Sequence, residues 1–298
     1  MTDPLATSGI VVVDKPAGMT SHDVVAKLRR AFSTRKVGHA GTLDPMATGV
    51  LVLGIERGTK LLAHLVAQDK TYTATIRLGA ATTTDDREGD VVFSAATHAV
   101  GHNDLTAAIA TLTGDILQVP ASVSAIKIDG RRAHERIRAG ETVALAPRPV
   151  TVYSFAAIET RRIDNYLDVD VSVHCSSGTY IRALARDLGD ALGVGGHLIA
   201  LRRTNVGHYT LADAHTLDDI EAAPSLSMTM DEALTRTWPV LPVTDAEYEA
   251  LAMGKWLTPR GLDGVHAAQG PDGKVVALIK EQGNRLATTF VARPSTLQ

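Results

Sequence analysis

The chain has 298 residues, 45% of them hydrophobic and 21% charged, a composition that excludes a disordered or fibrous protein and allows one large domain with a small one, or two of moderate size. A lone cysteine, Cys175, excludes an internal disulfide or a Cys-rich metal centre. The net charge of −3 does not by itself suggest a nucleic-acid partner, but the charge is unevenly spread. Lys15 to Lys60 concentrates eight basic side chains, whereas Ala212 to Asp263 carries ten acidic and three basic ones, so a polyanion would be steered to a local patch. The start, MTDPLATSG, lacks a basic region followed by a long apolar stretch, and no segment offers 18 uncharged apolar residues. No membrane contact is expected, and the expected address is the cytoplasm.

In chain order, IVVVD reads as a strand ending in the turn KPAG. Thr20 or Ser21 then caps a helix with an apolar stripe of Val24, Val25, Leu28 and Phe32, and Asp23 completes a capping box. Ser33 to Gly49 reads as a long functional loop before the buried strand VLVLGI. KTYTATIRLG alternates, with Tyr72, Ala74, Ile76 and Leu78 on one face. The stretch TTTDDREGD reads as a solvated turn, and Leu105, Ala108, Ile109 and Leu112 as a helix stopped by Gly114. From QVPASV to the Pro-punctuated APRPV the pattern predicts an extended arm containing a short basic helix. A strand from Leu167 to Cys175, with Cys175 in core phase, leads through SSG into a helix that buries Ile181, Leu184, Ala185 and Leu188 and ends at Gly189. Leu192 to His208 is Gly-rich and then basic, without the spacing of a dinucleotide fingerprint. Periodicity fades at Pro224 to Met230, and Pro239 to Gln298 reads as a small β-rich module.

The densest cluster of reactive residue types is KVGHAGTLDPMATG, Lys36 to Gly49. Its glycines permit close approach of backbone to a ligand, and Pro45 restricts Asp44, a candidate carboxylate. Taken alone, Tyr72 reads as a core tyrosine, Arg182 as a solvated helix arginine, His39 as a phosphate contact and Lys15 as a turn residue.

VVVDKPAGMTSHDVV, VGHAGTLDPMATGVLVLGIERGTKL, KTYTATIRLG and CSSGTYIRALARDLG, in this order, resemble the signature segments of the bacterial tRNA pseudouridine-55 synthase family, over most of Ile10 to Gly207. The resemblance implies an α+β pseudouridine synthase fold with a mixed, mostly antiparallel sheet. It places a catalytic domain at 1–235, interrupted by an RNA-clasping insertion at about 122–152, and a PUA-like RNA-binding module at 236–298. The reaction implied is conversion of uridine to pseudouridine at position 55, in the TΨC loop of tRNA. Asp44 matches the carboxylate required for glycosidic cleavage, Tyr72 the tyrosine that stacks on the target base, and Arg182 the arginine paired with that carboxylate. His39 matches the histidine that helps extrude the uridine, and Lys15 a lysine of the nucleotide site. Tyr180 joins these in the substrate-binding set, and Leu198 to Leu201 matches an apolar segment that helps line the site.

The chemistry asks for one ionised carboxylate, as nucleophile on the sugar or base at C2′, and for neither metal nor redox cofactor. In the arm, Lys127, Arg131 and Arg132 are expected to grip phosphates beside the target loop. The family's second Pro after QVP is missing, and Val123 and His134 stand where aromatics are usual. The tail is short for a complete PUA module. The expected partner is the T-arm of tRNA, met by a monomer with no obligatory protein partner. A synthase acting on another RNA position, or a non-catalytic tRNA-binding module, would share the basic patch; only an enzyme needs Asp44, Tyr72 and Arg182 together.

Overall fold

The computed structural model describes residues 3–121, 127–128, 131–132 and 146–297. Its main body is a ten-stranded sheet whose path runs Met228–Thr229, Gly9–Lys15, Thr48–Ile55, Gly196–Val206, Lys70–Leu78, Tyr166–Cys175, Arg148–Ile163 and Gly114–Gln118. Val37–His39 and Tyr209–Thr210 pair at its flanks. Along the path only Thr48–Ile55 and Gly196–Val206 run parallel, through the two pairs Thr48 with Arg202 and Gly49 with Arg203. The sheet is therefore mixed and mostly antiparallel, as the resemblance implies.

Hydrophobic pattern explains which strands are covered. Gly9–Lys15 and Thr48–Ile55 are continuous apolar runs because both of their faces are buried. Val11, Val13, Leu51 and Leu53 pack with the helices Ser21–Ala31 and Ile181–Ala191. Ile10, Val12, Val50 and Val52 pack on the other side with Leu234 of the helix Met230–Thr237 and with Val275 and Leu278. Lys70–Leu78 and Tyr166–Cys175 alternate because one face of each is open: Tyr72, Ala74, Ile76 and Leu78 are buried, while Thr73 faces solvent. Cys175 sits in the core as its phase predicts. The first helix begins as read, with Thr20 and Asp23 forming a reciprocal capping box.

Three local readings are corrected, and one strand has no counterpart in the sequence reading. The basic tract after Leu192 holds the strand Gly196–Val206 at the centre of the sheet, where His197 and Arg203 are buried. Gly189 does not end its helix, which runs to Ala191. It is where the helix touches that strand, since a Cβ on Gly189 would stand 2.1 Å from the Gly196 nitrogen. Within Ser33–Gly49, Val37–His39 is a short strand, and the next strand begins at Thr48. Met228–Thr229 pairs with Gly9–Ile10 at the sheet edge, and Thr229 caps the following helix. In the arm, Lys127–Ile128 and Arg131–Arg132 form a two-stranded hairpin, and the basic helix read there lies outside the described residues. Arg148–Val152, at the end of that stretch, pairs with Gly114–Gln118 in the main sheet.

The C-terminal segment forms its own four-stranded sheet in the order Val240–Pro242, Val265–Gln269, Val275–Gln282, Arg285–Val291. Arg293 pairs with Asp3 at 2.7 Å and Asp231 at 2.7 Å, and Arg57 donates to the carbonyls of Val291 and Ala292. These bonds tie the small sheet to the main body. Among the described residues no helix is long and apolar enough to cross a membrane.

The contact at Gly189 generates a stability prediction. Gly189→Ala overpacks the helix against the sheet and is expected to cost about 1–3 kcal/mol, read as a lower midpoint in urea unfolding. An unchanged midpoint would show that the helix can back away from Gly196 without loss.

Candidate active site

Asp44 lies on the loop between Val37–His39 and Thr48–Ile55, and nearly every residue around it is tied by its backbone. Arg203 donates to the carbonyls of Gly41 and Thr42. The Ser21 hydroxyl, at the start of the first helix, accepts from the Leu43 amide at 2.9 Å and donates to the Leu43 carbonyl. The Gly18 amide donates to the Pro45 carbonyl at 2.8 Å, and the Ala47 amide to the Asp44 carbonyl. A loop held at this density presents its carboxylate in one place, the condition for a preorganised site.

The Asp44 carboxylate, one-third exposed, faces Arg182 near the start of the helix Ile181–Ala191. Arg182 grips it with Nε to Oδ2 at 3.0 Å and Nη2 to Oδ1 at 3.1 Å, the two-point geometry of a strong pair. Arg182 is buried, and its Nη1 donates to the Thr84 carbonyl at 3.1 Å and lies 3.4 Å from Asp86. Burial pushes the Asp44 carboxyl up from its ordinary range, Arg182 pulls it back down and Asp86 adds to the rise.

The stretch TTTDDREGD is a turn with Arg87, Glu88 and Asp90 exposed, as read, but its two central aspartates are not solvated. Asp85 and Asp86 are buried because two arginines of the Ile181–Ala191 helix reach them: Arg182 meets Asp86, and Arg186 meets Asp85 at 3.0 Å. The Asp85 carbonyl also accepts from the Leu198 amide, which fastens this turn to the central strand. Asp86 is the site residue that the sequence reading missed; its charge alone gives no signal of burial. Gln118 was missed too. Its side-chain amide donates to the Tyr180 carbonyl at 3.1 Å and accepts from the Tyr180 amide at 2.8 Å, fixing the chain as it enters the helix that carries Arg182.

Tyr72 is buried, and burial raises its hydroxyl above the ordinary value, with Arg203 opposing and Asp44 close enough to add. Tyr72 and Arg203 are register partners on neighbouring strands. His39 is half-buried in edge contact with His22, ring centroids 5.6 Å apart. Burial lowers its basicity, and its Nδ1 finds no hydrogen-bond partner among the described residues.

Lys15 has no exposed surface and donates to the carbonyls of Pro16, Met19 and Pro45. That placement lets it brace the Asp44 loop through the Pro45 carbonyl. Burial depresses it to about 8, with Asp44 opposing the fall. The side chains of Lys127, Arg131 and Arg132 lie outside the described residues. A cavity of about 550 Å³ adjoins the Asp44 loop at Met46 and Thr48 and is lined by Thr73, Thr75, Leu201 and Arg202, on the face that the alternating strands leave open.

Residues 29–181 match the model of the TruB family pseudouridylate synthase N-terminal domain. Residues 182–246 match the tRNA pseudouridylate synthase B C-terminal domain, and 238–293 the C-terminal region of tRNA pseudouridine synthase II. The protein named tRNA pseudouridine synthase B of Corynebacterium efficiens is 69% identical over 297 residues, covering 100% of both chains. The protein of the same name in Nocardia farcinica is 57% identical, over 99% of this chain and 96% of its own. Among solved structures, the archaeal box H/ACA sRNP Nop10-Cbf5 complex contains a chain 26% identical with a TM-score of 0.70, covering 98% of this chain and 88% of that one. An H/ACA RNP bound to a substrate RNA containing 2'-deoxyuridine has a chain of the same fold, 23% identical with a TM-score of 0.71, covering 99% of this chain and 87% of that one. This is the fold and the enzyme class of the pseudouridine synthases, isomerases that act on RNA. The chain belongs to the TruB family.

The pairing of Asp44 with Arg182 sets a pH prediction. An Asp44 that reacts as a carboxylate does so in its ionised form, which is present above its raised pKa and lost as pH falls through it. Arg182→Gln removes the opposing pull, so the acid limb of kcat/KM is expected to move to higher pH. An acid limb that stays in place would show that Asp44 is not the group titrating.

Proposed function

We propose that this protein converts uridine to pseudouridine at position 55 in the TΨC loop of tRNA, in the cytoplasm, with Asp44 as the reacting carboxylate. The observation that carries this reading is the Asp44 loop itself, with a partly exposed carboxylate held at two points by a buried arginine on an immobilised backbone. Simple phosphate binding has no need of a carboxylate in such a place.

The uracil leaves C1′ when the C1′–N1 bond breaks, turns in the pocket, and rejoins through a C1′–C5 bond; N1 gains a proton and C5 loses one, so the product is an isomer and no net electrons move. Asp44 acts either as nucleophile at C1′ or as base at C2′, and both roles use its ionised form. Target atoms stacked within an RNA loop become reachable when the base is flipped out. Tyr72 supports the base and is positioned for the C5 proton, His39 and Tyr180 stand on the approach, and Arg182 keeps Asp44 charged. Residues 1–235 form the catalytic domain with its clasping insertion at about 122–152, and 236–298 the PUA-like module. Lys127, Arg131 and Arg132, on the hairpin of the insertion, grip phosphates on either flank of the target loop.

Nucleotide-resolution mapping of pseudouridine on an unmodified tRNA transcript tests the assignment. Wild-type protein is expected to leave one mark, at position 55, and Asp44→Asn to leave none while still binding the transcript. A mark elsewhere would overturn the substrate, and tight binding without any mark would favour a tRNA-binding module. For the arm, replacing Arg131 and Arg132 together by Ala should weaken binding most at low salt and lower the slope of log affinity against log salt by roughly one unit for each phosphate no longer gripped. An unchanged slope would show that neither arginine meets a phosphate.

A further inference from the structure

Arg203 is a charged side chain with 1% of its surface exposed, and among the described residues it forms no ion pair. Burying a guanidinium is costly unless its donors are satisfied. Here they are satisfied mainly by backbone: Nε donates to the Val50 carbonyl at 2.8 Å, Nη2 to Gly41 at 3.1 Å and Nη1 to Thr42 at 3.3 Å, and the guanidinium also meets the Tyr72 hydroxyl. Gly41 and Thr42 precede Asp44, and Val50 follows it. One planar group therefore closes the loop that carries Asp44, joining its two ends across the central strand.

The surroundings are built to admit this group. Gly49 is the register partner of Arg203, and a Cβ on Gly49 would stand 2.1 Å from the Arg203 carbonyl oxygen. Gly41, with a φ of +98°, would place a Cβ 3.7 Å from Nη1 of Arg203 and 3.6 Å from Cε of the buried Lys70. On its other side Arg203 is the register partner of Tyr72. A lysine at 203 would keep the charge, but its single nitrogen cannot span both ends of the loop as a fork of donors does.

We infer that Arg203 is a positioning residue for pseudouridine formation: it locks the Gly41–Val50 loop and backs Tyr72, so that it governs the chemical step and leaves tRNA affinity untouched. The inference rests on the proposed function of the Asp44 site. It adds a residue that meets no RNA and acts through the loop backbone and the Tyr72 side chain it holds.

The test measures single-turnover pseudouridine formation and tRNA affinity by filter binding for wild type, Arg203→Lys, Gly41→Ala and the double variant, with thermal unfolding of each as a check on folding. Gly41→Ala strains the same loop while leaving Arg203 in place, so the question stays answerable if Arg203→Lys does not accumulate. Each single variant is expected to lose roughly 10- to 100-fold in rate, the scale on which a misplacement of about 1 Å acts, with affinity within about threefold of wild type. The double variant should lose less than the product of the two, because both changes release one loop. Unchanged rates in folded variants overturn the inference, as does an affinity loss in step with the rate, which would make Arg203 an RNA contact. A wild-type protein that binds tRNA and forms no pseudouridine takes down the functional reading and this inference together, an outcome told apart by the wild-type reaction alone.

Discussion

Ionised groups leave water at a cost that something in the protein must offset, and that constraint organises everything near Asp44. Arg182 is met by two carboxylates and a carbonyl from two different segments. Lys15 and Arg203 are met chiefly by backbone carbonyls, Arg203 also by the Tyr72 hydroxyl. Each solution needs the surrounding backbone to stand in one arrangement, because a carbonyl displaced by an ångström leaves a buried charge unsatisfied. The charges thus convert the cost of burial into rigidity of the loop. A site assembled from apolar contacts alone would tolerate sliding that this one does not.

The placement of the site follows from how the sheet is covered. Strands buried on both faces give the body its stability, and strands buried on one face give it an open surface. Asp44 lies between the two regimes, on the connection into Thr48–Ile55, while Tyr72 and Arg203 come from the adjoining strands. The Ile181–Ala191 helix, fixed at its start by Gln118, carries Arg182 to the same seam. A carboxylate there is backed by dry, packed structure and still keeps a third of its side-chain surface exposed, which combines precise placement with access for a large RNA.

Much of this was legible in the sequence, and the limits have physical causes. The strand IVVVD, the capped helix after it and the alternating KTYTATIRLG declare themselves because burial imposes period and composition locally. Asp44 stands out through the glycines and proline about it. Arg182 and Tyr72 do not: a helix arginine and a core-phase tyrosine look ordinary, and only the resemblance to a family marks them. Asp85 and Asp86 were misread because their partners Arg182 and Arg186 lie about a hundred residues further on, and a run of charge reads as solvated when its partners are distant. The central strand Gly196–Val206 was missed for the same reason. Its His197 and Arg203 are polar residues made buriable by bonds to the backbone of other strands, and no local pattern records those bonds.

The position of that strand also sets an order of events on the ribosome. Thr48–Ile55 and Lys70–Leu78 are close in sequence, yet they do not pair with each other; Gly196–Val206 lies between them. As synthesis proceeds from the N-terminus, the nascent chain can form two half-sheets, each with a raw edge facing the gap that the late strand will fill. Until that strand emerges, neither half has its native neighbour at this edge, and the loop bearing Asp44, made long before, has no Arg203 to close it. The growing polypeptide must therefore carry two exposed strand edges for more than a hundred codons, a liability for mispairing between chains on one message, and the Asp44 loop takes its final shape only when the wedge strand enters.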